Sequence, residues 1–160
     1  MTFDRAVKFV LSQEGGFVDD PVDPGGRTKY GISQKAYPDL NIEYLTTEQA
    51  IAIYRRDYWE QLPALVSDGL AFLLFDCAVN VGKDRAIKLL QRAIGAKPDG
   101  FFGPVSRKAL AKYEPREAMI RFQAERARHY ALLDDLDDTY ARGWMNRTMR
   151  AFAHAIEGEI

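Results

Sequence analysis

A mainly α-helical domain interrupted by one loop-rich segment is what the sequence predicts, and three observations predict it. Apolar residues recur at three- and four-residue intervals through almost all of the 160 residues. Only residues 17–45 break that rhythm, and Pro, Gly and Asp concentrate there. A content of 47% hydrophobic and 12% aromatic residues is enough to build a core for one domain of ordinary size.

The elements follow in order. Phe3, Val7, Val10 and Leu11 mark one face of a first helix, which Gly15-Gly16 ends. From Phe17 to Leu45 the expectation is loops with room for a short β-hairpin, and Asp23-Pro24-Gly25-Gly26 is a turn-forming run. Thr46 and Gln49 form a capping box that opens a helix to about Trp59, carrying Tyr54, Tyr58 and Trp59. The run from Leu70 to Val81 is apolar but for Asp76 and Asn80, which predicts a central buried helix. Arg85 to Ile94 is the next helix, stopped by Gly95. Asp99-Gly100 and Gly103-Pro104 then make a tight loop ending on a proline at a helix start, where a missing N–H costs nothing. Helices are expected over about 104–113, 115–133 and 143–157. With no repeat, low-complexity tract or long linker, residues 1–70 and 71–160 are expected to pack as two segments of one compact unit.

Several chemistries are excluded at this level. No window approaches the ~18 apolar residues of a membrane span, and Met1-Thr2-Phe3-Asp4-Arg5 lacks the start of a secretory signal, so a soluble product of the cytoplasm without membrane insertion is expected. Cys77 is the single cysteine and forms no internal disulfide. A net charge of -1 argues against a dedicated nucleic-acid binder. It hides an asymmetry: seven Lys/Arg against twelve Asp/Glu in residues 1–80, fifteen against eleven in 81–160. His129 and His154 lie far apart, and the acidic run Asp134-Asp135-Leu136-Asp137-Asp138 lacks the glycine and terminal glutamate of a calcium loop. That run reads as a solvated helix end. A monomer with no metal and no cofactor is the expectation.

Glu14 lies four and seven residues beyond Val10 and Val7, so it continues the apolar stripe of the first helix and points inward. A carboxyl against an apolar face is partly desolvated, which raises its pKa and suits it to act as a general acid in glycoside hydrolysis. Such a reaction ordinarily needs a second carboxylate across the scissile bond. Asp23, nine residues on and before a turn, is the first candidate for the base, and Asp20 the reserve. Both precede prolines, where an aspartate also serves simply to set a turn. Thr28 and Tyr30 are candidates to hold a water or a sugar hydroxyl.

Glu14-Gly15-Gly16-Phe17, then Asp20-Pro21, Asp23, Gly25-Gly26, Thr28 and Tyr30-Gly31-Ile32, resemble the N-terminal signature of glycoside hydrolase family 108. These are the N-acetylmuramidases of phage endolysins and secretion-associated bacterial proteins. The resemblance implies that Glu14 is the catalytic glutamate. The spacing of Glu14, Asp23 and Thr28 is also similar, within one residue, to the Glu, Asp, Thr trio of phage-type lysozymes, which supports Asp23, and a lysozyme-like domain is expected. Phe75-Asp76, Ala78-Val79-Asn80, Gly82, Ala86, Leu90-Gln91, Asp99-Gly100, Gly103-Pro104, Ala109-Leu110, Gly143-Trp144 and Asn146-Arg147 resemble the family's companion peptidoglycan-binding region. Ser106 stands where similar modules carry threonine, with the hydroxyl retained.

Asp76, Asn80 and Gln91 are then candidate substrate contacts, but a polar group on an apolar helix equally serves as a buried hydrogen-bonding residue. Tyr54, Tyr58, Trp59 and Trp144 are candidate sugar-stacking rings, against the alternative that they are core. The implied activity is cleavage of the β-1,4 bond between N-acetylmuramic acid and N-acetylglucosamine in peptidoglycan. The rivals are a lytic transglycosylase on the same bond and a non-catalytic peptidoglycan-binding protein. The compact chain and its N-terminus favour a phage endolysin made in the host cytoplasm, released through a holin, and acting in the periplasm or wall.

Overall fold

A computed structural model describes residues 3–14, 17, 26–65, 67–133 and 138–157, with the side chains of 138–141 excepted. Among them the chain forms α1 Phe3–Gln13, a hairpin of β1 Thr28–Lys29 and β2 Ile32–Ser33, α2 Thr47–Asp57, α3 Asp68–Val81, α4 Lys83–Ala93, α5 Pro104–Leu110, α6 Pro115–Ala131 and α7 Asp138–Glu157. This is the mainly helical, lysozyme-like class expected from the sequence. Residue contacts group the chain into two compact units, Phe3–Gln61 and Leu62 onward.

In the first unit α1 buries Phe3, Ala6, Val7 and Val10 and packs against α2, which contributes Ala50, Ile53 and Tyr54. Burial of Phe3, Val7, Val10 and Ile53 contributes roughly 1.5–3 kcal/mol each. Phe3 is held on two sides, by the edge of Trp59 with ring centroids 5.6 Å apart and by the Arg55 guanidinium 4.1 Å from its ring centre. The start of α2 is the predicted capping box: Thr46 Oγ1 accepts from the Gln49 N–H, and Gln49 Oε1 accepts from the Thr46 N–H. α2 stops at Asp57, and Trp59–Gln61 continue as a 3₁₀ turn.

The hairpin pairs Thr28 with Ser33 and Lys29 with Ile32, leaving Tyr30-Gly31 as a two-residue turn. Both turn residues have positive φ, 53° and 75°. That is what a turn matching the twist of two antiparallel strands requires, and glycine meets it without strain. Tyr30 is held there by its neighbours: the Tyr54 hydroxyl donates to its carbonyl at 2.7 Å, and its own hydroxyl accepts from Thr47 Oγ1 at 3.2 Å.

In the second unit α3 is sunk almost along its whole length, with Leu70 and the run Phe72 to Ala78 buried. α4, α6 and α7 pack around it. Ser67 Oγ accepts from the Leu70 N–H to cap α3, while α5 and α6 each begin on a proline. α7 begins at Asp138, earlier than the expected start near Gly143. A glycine inside a helix costs only about 1 kcal/mol, and α7 packs against α3 and α6. Among the described residues no helix is long and apolar enough to cross a membrane.

Candidate active site

Glu14 is the first residue beyond α1; its N–H donates to the Val10 carbonyl at 3.1 Å, so the helical path fixes where the side chain leaves the chain. The side chain is half-buried and runs to the hairpin turn. A Cβ placed on Gly31 would stand 2.6 Å from Glu14 Oε2 and 2.7 Å from Tyr54 Oη. The absence of a side chain at Gly31 is therefore what admits the carboxyl and the phenol together. Tyr58, its ring centroid 5.6 Å from that of Tyr54, has its pKa raised by burial first, then by the charges of Asp57 and Glu14. The carboxylate thus lies within electrostatic reach of a second, half-buried phenol.

Tyr30 and Tyr54 come together at this turn, but in different ways. Tyr54 is buried and contributes its hydroxyl rather than a ring face. Thr28 Oγ1 donates to the Gly26 carbonyl at 3.2 Å, a local bond that ties the entry of the hairpin. Trp59 is half-buried with its edge on Phe3. Asp20, Asp23 and Gly15-Gly16 lie outside the described residues.

Asp76, Asn80 and Trp144 gather elsewhere, around Arg126, Tyr130 and Arg147 in the second unit. Asp76 is 0% exposed; its Oδ2 accepts from Arg126 Nη1 at 2.6 Å and its Oδ1 from Arg147 Nε at 2.9 Å. The Tyr130 hydroxyl donates to Asn80 Oδ1 and accepts from Arg126 Nε at 3.0 Å, and the Tyr130 and Trp144 ring centroids are 5.1 Å apart. Gln91, 1% exposed, is a separate hub. Its amide nitrogen donates to Asp99 Oδ1, the Phe101 carbonyl and Ser106 Oγ, and its oxygen accepts from the Gly100 N–H. Asp76 and Gln91 thus have no surface to offer a ligand, and they act as the buried hydrogen-bonding residues that polar groups on apolar helices must become. The serine at 106 retains the use of its hydroxyl.

Gly31, Arg126 and Tyr130 were given no role by sequence reasoning, and Tyr58 only that of a sugar-stacking ring. Gly31 carried a signal, since a glycine at the second position of a two-residue turn marks positive φ. Arg126 carried none: it sits in a helix rich in Arg and Glu, and only its fully buried position distinguishes it. Cys77 is also fully buried, and burial pushes its thiol up to about 11, so it is an inert core residue. Among the described residues no group of three or more His, Cys, Asp or Glu comes together to hold a metal.

A family model described as glycosyl hydrolase 108 matches residues 7–82, and one described as a predicted peptidoglycan domain matches residues 85–149. The first match contains the Glu14 site and the second the Gln91 hub. Among solved structures, that of Brucella abortus SagA is similar to this chain at 31% identity and a TM-score of 0.82, over 97% of this chain and 94% of that one. A comparison with curated proteins gave no significant match.

Proposed function

Since the chain belongs to the glycosyl hydrolase 108 family and carries a peptidoglycan domain, which makes it a peptidoglycan hydrolase, we propose that it cuts the β-1,4 bond between N-acetylmuramic acid and N-acetylglucosamine with Glu14 as general acid. The observation that carries this is the placement of the Glu14 carboxyl at the side-chain-free Gly31 turn beside Tyr54 Oη. Glu14 gives its proton to the glycosidic oxygen as the C1–O bond breaks. Asp23, or Asp20 in its place, takes a proton from the water whose oxygen bonds to C1 from the opposite face. An attack of that kind inverts the anomeric centre and needs carboxyls about 6.5–9.5 Å apart, against about 5–5.5 Å for retention. Peptidoglycan strands are the partner, met by a monomer that acts without a cofactor.

The biological setting belongs to the same proposal: a phage endolysin made in the host cytoplasm, released through a holin and acting in the periplasm or wall. Its support is that wall-cutting and wall-holding segments share one 160-residue chain. Holin and tail genes beside the coding sequence would accord with it, and a neighbourhood of wall-remodelling genes would replace it with a bacterial role.

Digestion of purified sacculi tests the chemistry. Mass spectrometry should find muramic acid ends that have gained one water, and proton NMR should find the α-anomer first. Anhydro ends, lighter by one water, would make the chain a lytic transglycosylase. A β-anomer appearing first would remove the water-activating role from the loop aspartates.

A further inference from the structure

The loop between α4 and α5 is an unusually well-held piece of irregular chain. Gln91, buried beneath it, makes four hydrogen bonds to it and to the start of α5. The Asp99 carboxylate also accepts from the Phe101 N–H at 3.0 Å, and the amide of Gln91 followed by this N–H holds its pKa below the ordinary carboxylate value. Gly100 has a φ of 83°, a conformation few other residues adopt.

This rigid loop exposes apolar surface. Phe101 is 74% and Val105 76% exposed, whereas the adjacent Phe102 is buried. The Phe101 ring lies against Gly103, where a Cβ would come within 2.5 Å of Cε1, so glycine there gives the ring its seat. Beside the ring is a shallow cavity of about 110 Å³, whose rim includes Lys97, Asp99 and Val105. Asp99 Oδ1 is engaged by the loop, and among the described residues no hydrogen bond to its Oδ2 is found.

An exposed aromatic ring flanked by an ammonium and a carboxylate fits a sugar, which offers an apolar C–H face to the ring and hydroxyls and an amide to the charges. Two apolar residues are too small a patch for a stable protein partner, which needs roughly 800 Å² on each side. The loop also lies inside the matched peptidoglycan domain. We propose that residues 97–105 form a glycan-holding surface on which Phe101 stacks against a sugar of the peptidoglycan strand, with Lys97 and Asp99 bonding its polar edge. The proposal rests on the reading of the chain as a peptidoglycan hydrolase. It places wall binding on a surface built by Gln91 in the unit from Leu62 onward. Because the loop is fixed before binding, little ordering entropy is lost when it is occupied.

The test uses the full chain with Glu14→Gln, so that binding is read without digestion. Binding to intact sacculi and to glycan strands stripped of stem peptides is measured by sedimentation. Phe101→Ala should weaken both about 3- to 10-fold, and Phe101→Tyr should restore them. The ring is on the surface and its backbone bonds remain, so an unchanged melting temperature is expected. In the active chain, Phe101→Ala should raise the wall concentration giving half-maximal rate and leave kcat unaltered. Binding by Phe101→Ala equal to that of the parent would overturn the proposal. So would a loss on intact sacculi but not on stripped strands, which would make the stem peptide the occupant. Loss of self-association in ultracentrifugation without loss of glycan binding would assign the patch to a second copy and also overturn it. The masses of the digestion products bear on the reaction and the bond cut, not on binding, so failure there and failure here are separable.

Discussion

Glu14 and Asp76 look alike in the sequence and differ in the fold. Each is an acidic residue that continues the apolar face of a helix, one in the unit Phe3–Gln61 and the other in the unit from Leu62 onward. Asp76 is completely enclosed, and two guanidiniums occupy its oxygens. Glu14 stays half-buried beyond the end of its helix, at a turn whose missing side chain leaves room for it. A carboxylate in the middle of a core helix has to be neutralised by partners, because burying an unpaired charge costs several kcal/mol. A carboxylate at a helix end, beside a tight turn, is not enclosed in that way. On the proposed function, the first unit uses its acidic residue for chemistry, whereas the second uses Asp76 for architecture.

The largest effect that would sharpen this contrast is on stability. Asp76→Asn keeps the shape but leaves Arg126 and Arg147 without their counter-charge in the interior, and should destabilise the fold by about 3–5 kcal/mol. Urea unfolding measures this directly, and activity per folded molecule should change far less than stability. The mirror image is Glu14→Gln. It should lower wall lysis by about 10²-fold or more, the scale of a lost general acid, with no fall in the unfolding midpoint. If Glu14→Gln unfolded the protein and Asp76→Asn merely slowed it, the assignment of roles would be reversed.

Gly31→Ala probes the boundary between the two behaviours. Alanine at a φ of 75° is strained by roughly 1–3 kcal/mol, and its Cβ meets the flexible ends of Glu14 and Tyr54 rather than fixed backbone. The carboxyl has to move aside. Turnover measured on purified wall should therefore fall further than the melting temperature suggests, up to about 10²-fold for a displacement near 1 Å. A purely structural turn would lose stability and activity in proportion.

The helices were legible because their signals are local: apolar spacing, the Thr46–Gln49 box, and Pro104 and Pro115 at first turns all lie within a few residues of the structure they set. The half-buried placement of Glu14 was legible for the same reason, as it is the last member of an apolar stripe. The partners of Asp76 were not, since Arg126 and Arg147 are 50 and 71 residues away and resemble their solvent-facing neighbours. Gln91 was recognised as polar on an apolar helix, but its bonds to the 99–106 segment depend on how the following loop folds back over it. The exposure of Phe101 was hidden too, because two consecutive phenylalanines give no sign of which one faces inward. The start of α7 was missed when Gly143 was read as a boundary, although tertiary packing carries the helix through it.

The smallest effect expected is a pH dependence confined to the second unit. Burial, followed by the charges of Arg85 and Arg92, holds the pKa of His129 below its ordinary value of 6.5. Among the described residues its buried Nε2 has no hydrogen-bond partner, so no acceptor there rewards the added proton. The unfolded chain, lacking these neighbours, takes up the proton first as pH falls. Below about 6.5 it therefore binds more protons at this site than the native state does, and stability declines with acidification through the window between that value and the depressed native pKa. Above that window the contribution is constant. His129→Gln removes the titration, so the melting temperature of the variant should fall less than that of the parent between pH 7.5 and pH 5.5, a range set to span about one unit either side of the unperturbed value. Carboxylates that titrate in both proteins cancel in the difference. Parallel curves would mean that His129 charges equally easily in the folded and unfolded chains, and that Arg85 and Arg92 exert no net repulsion on it.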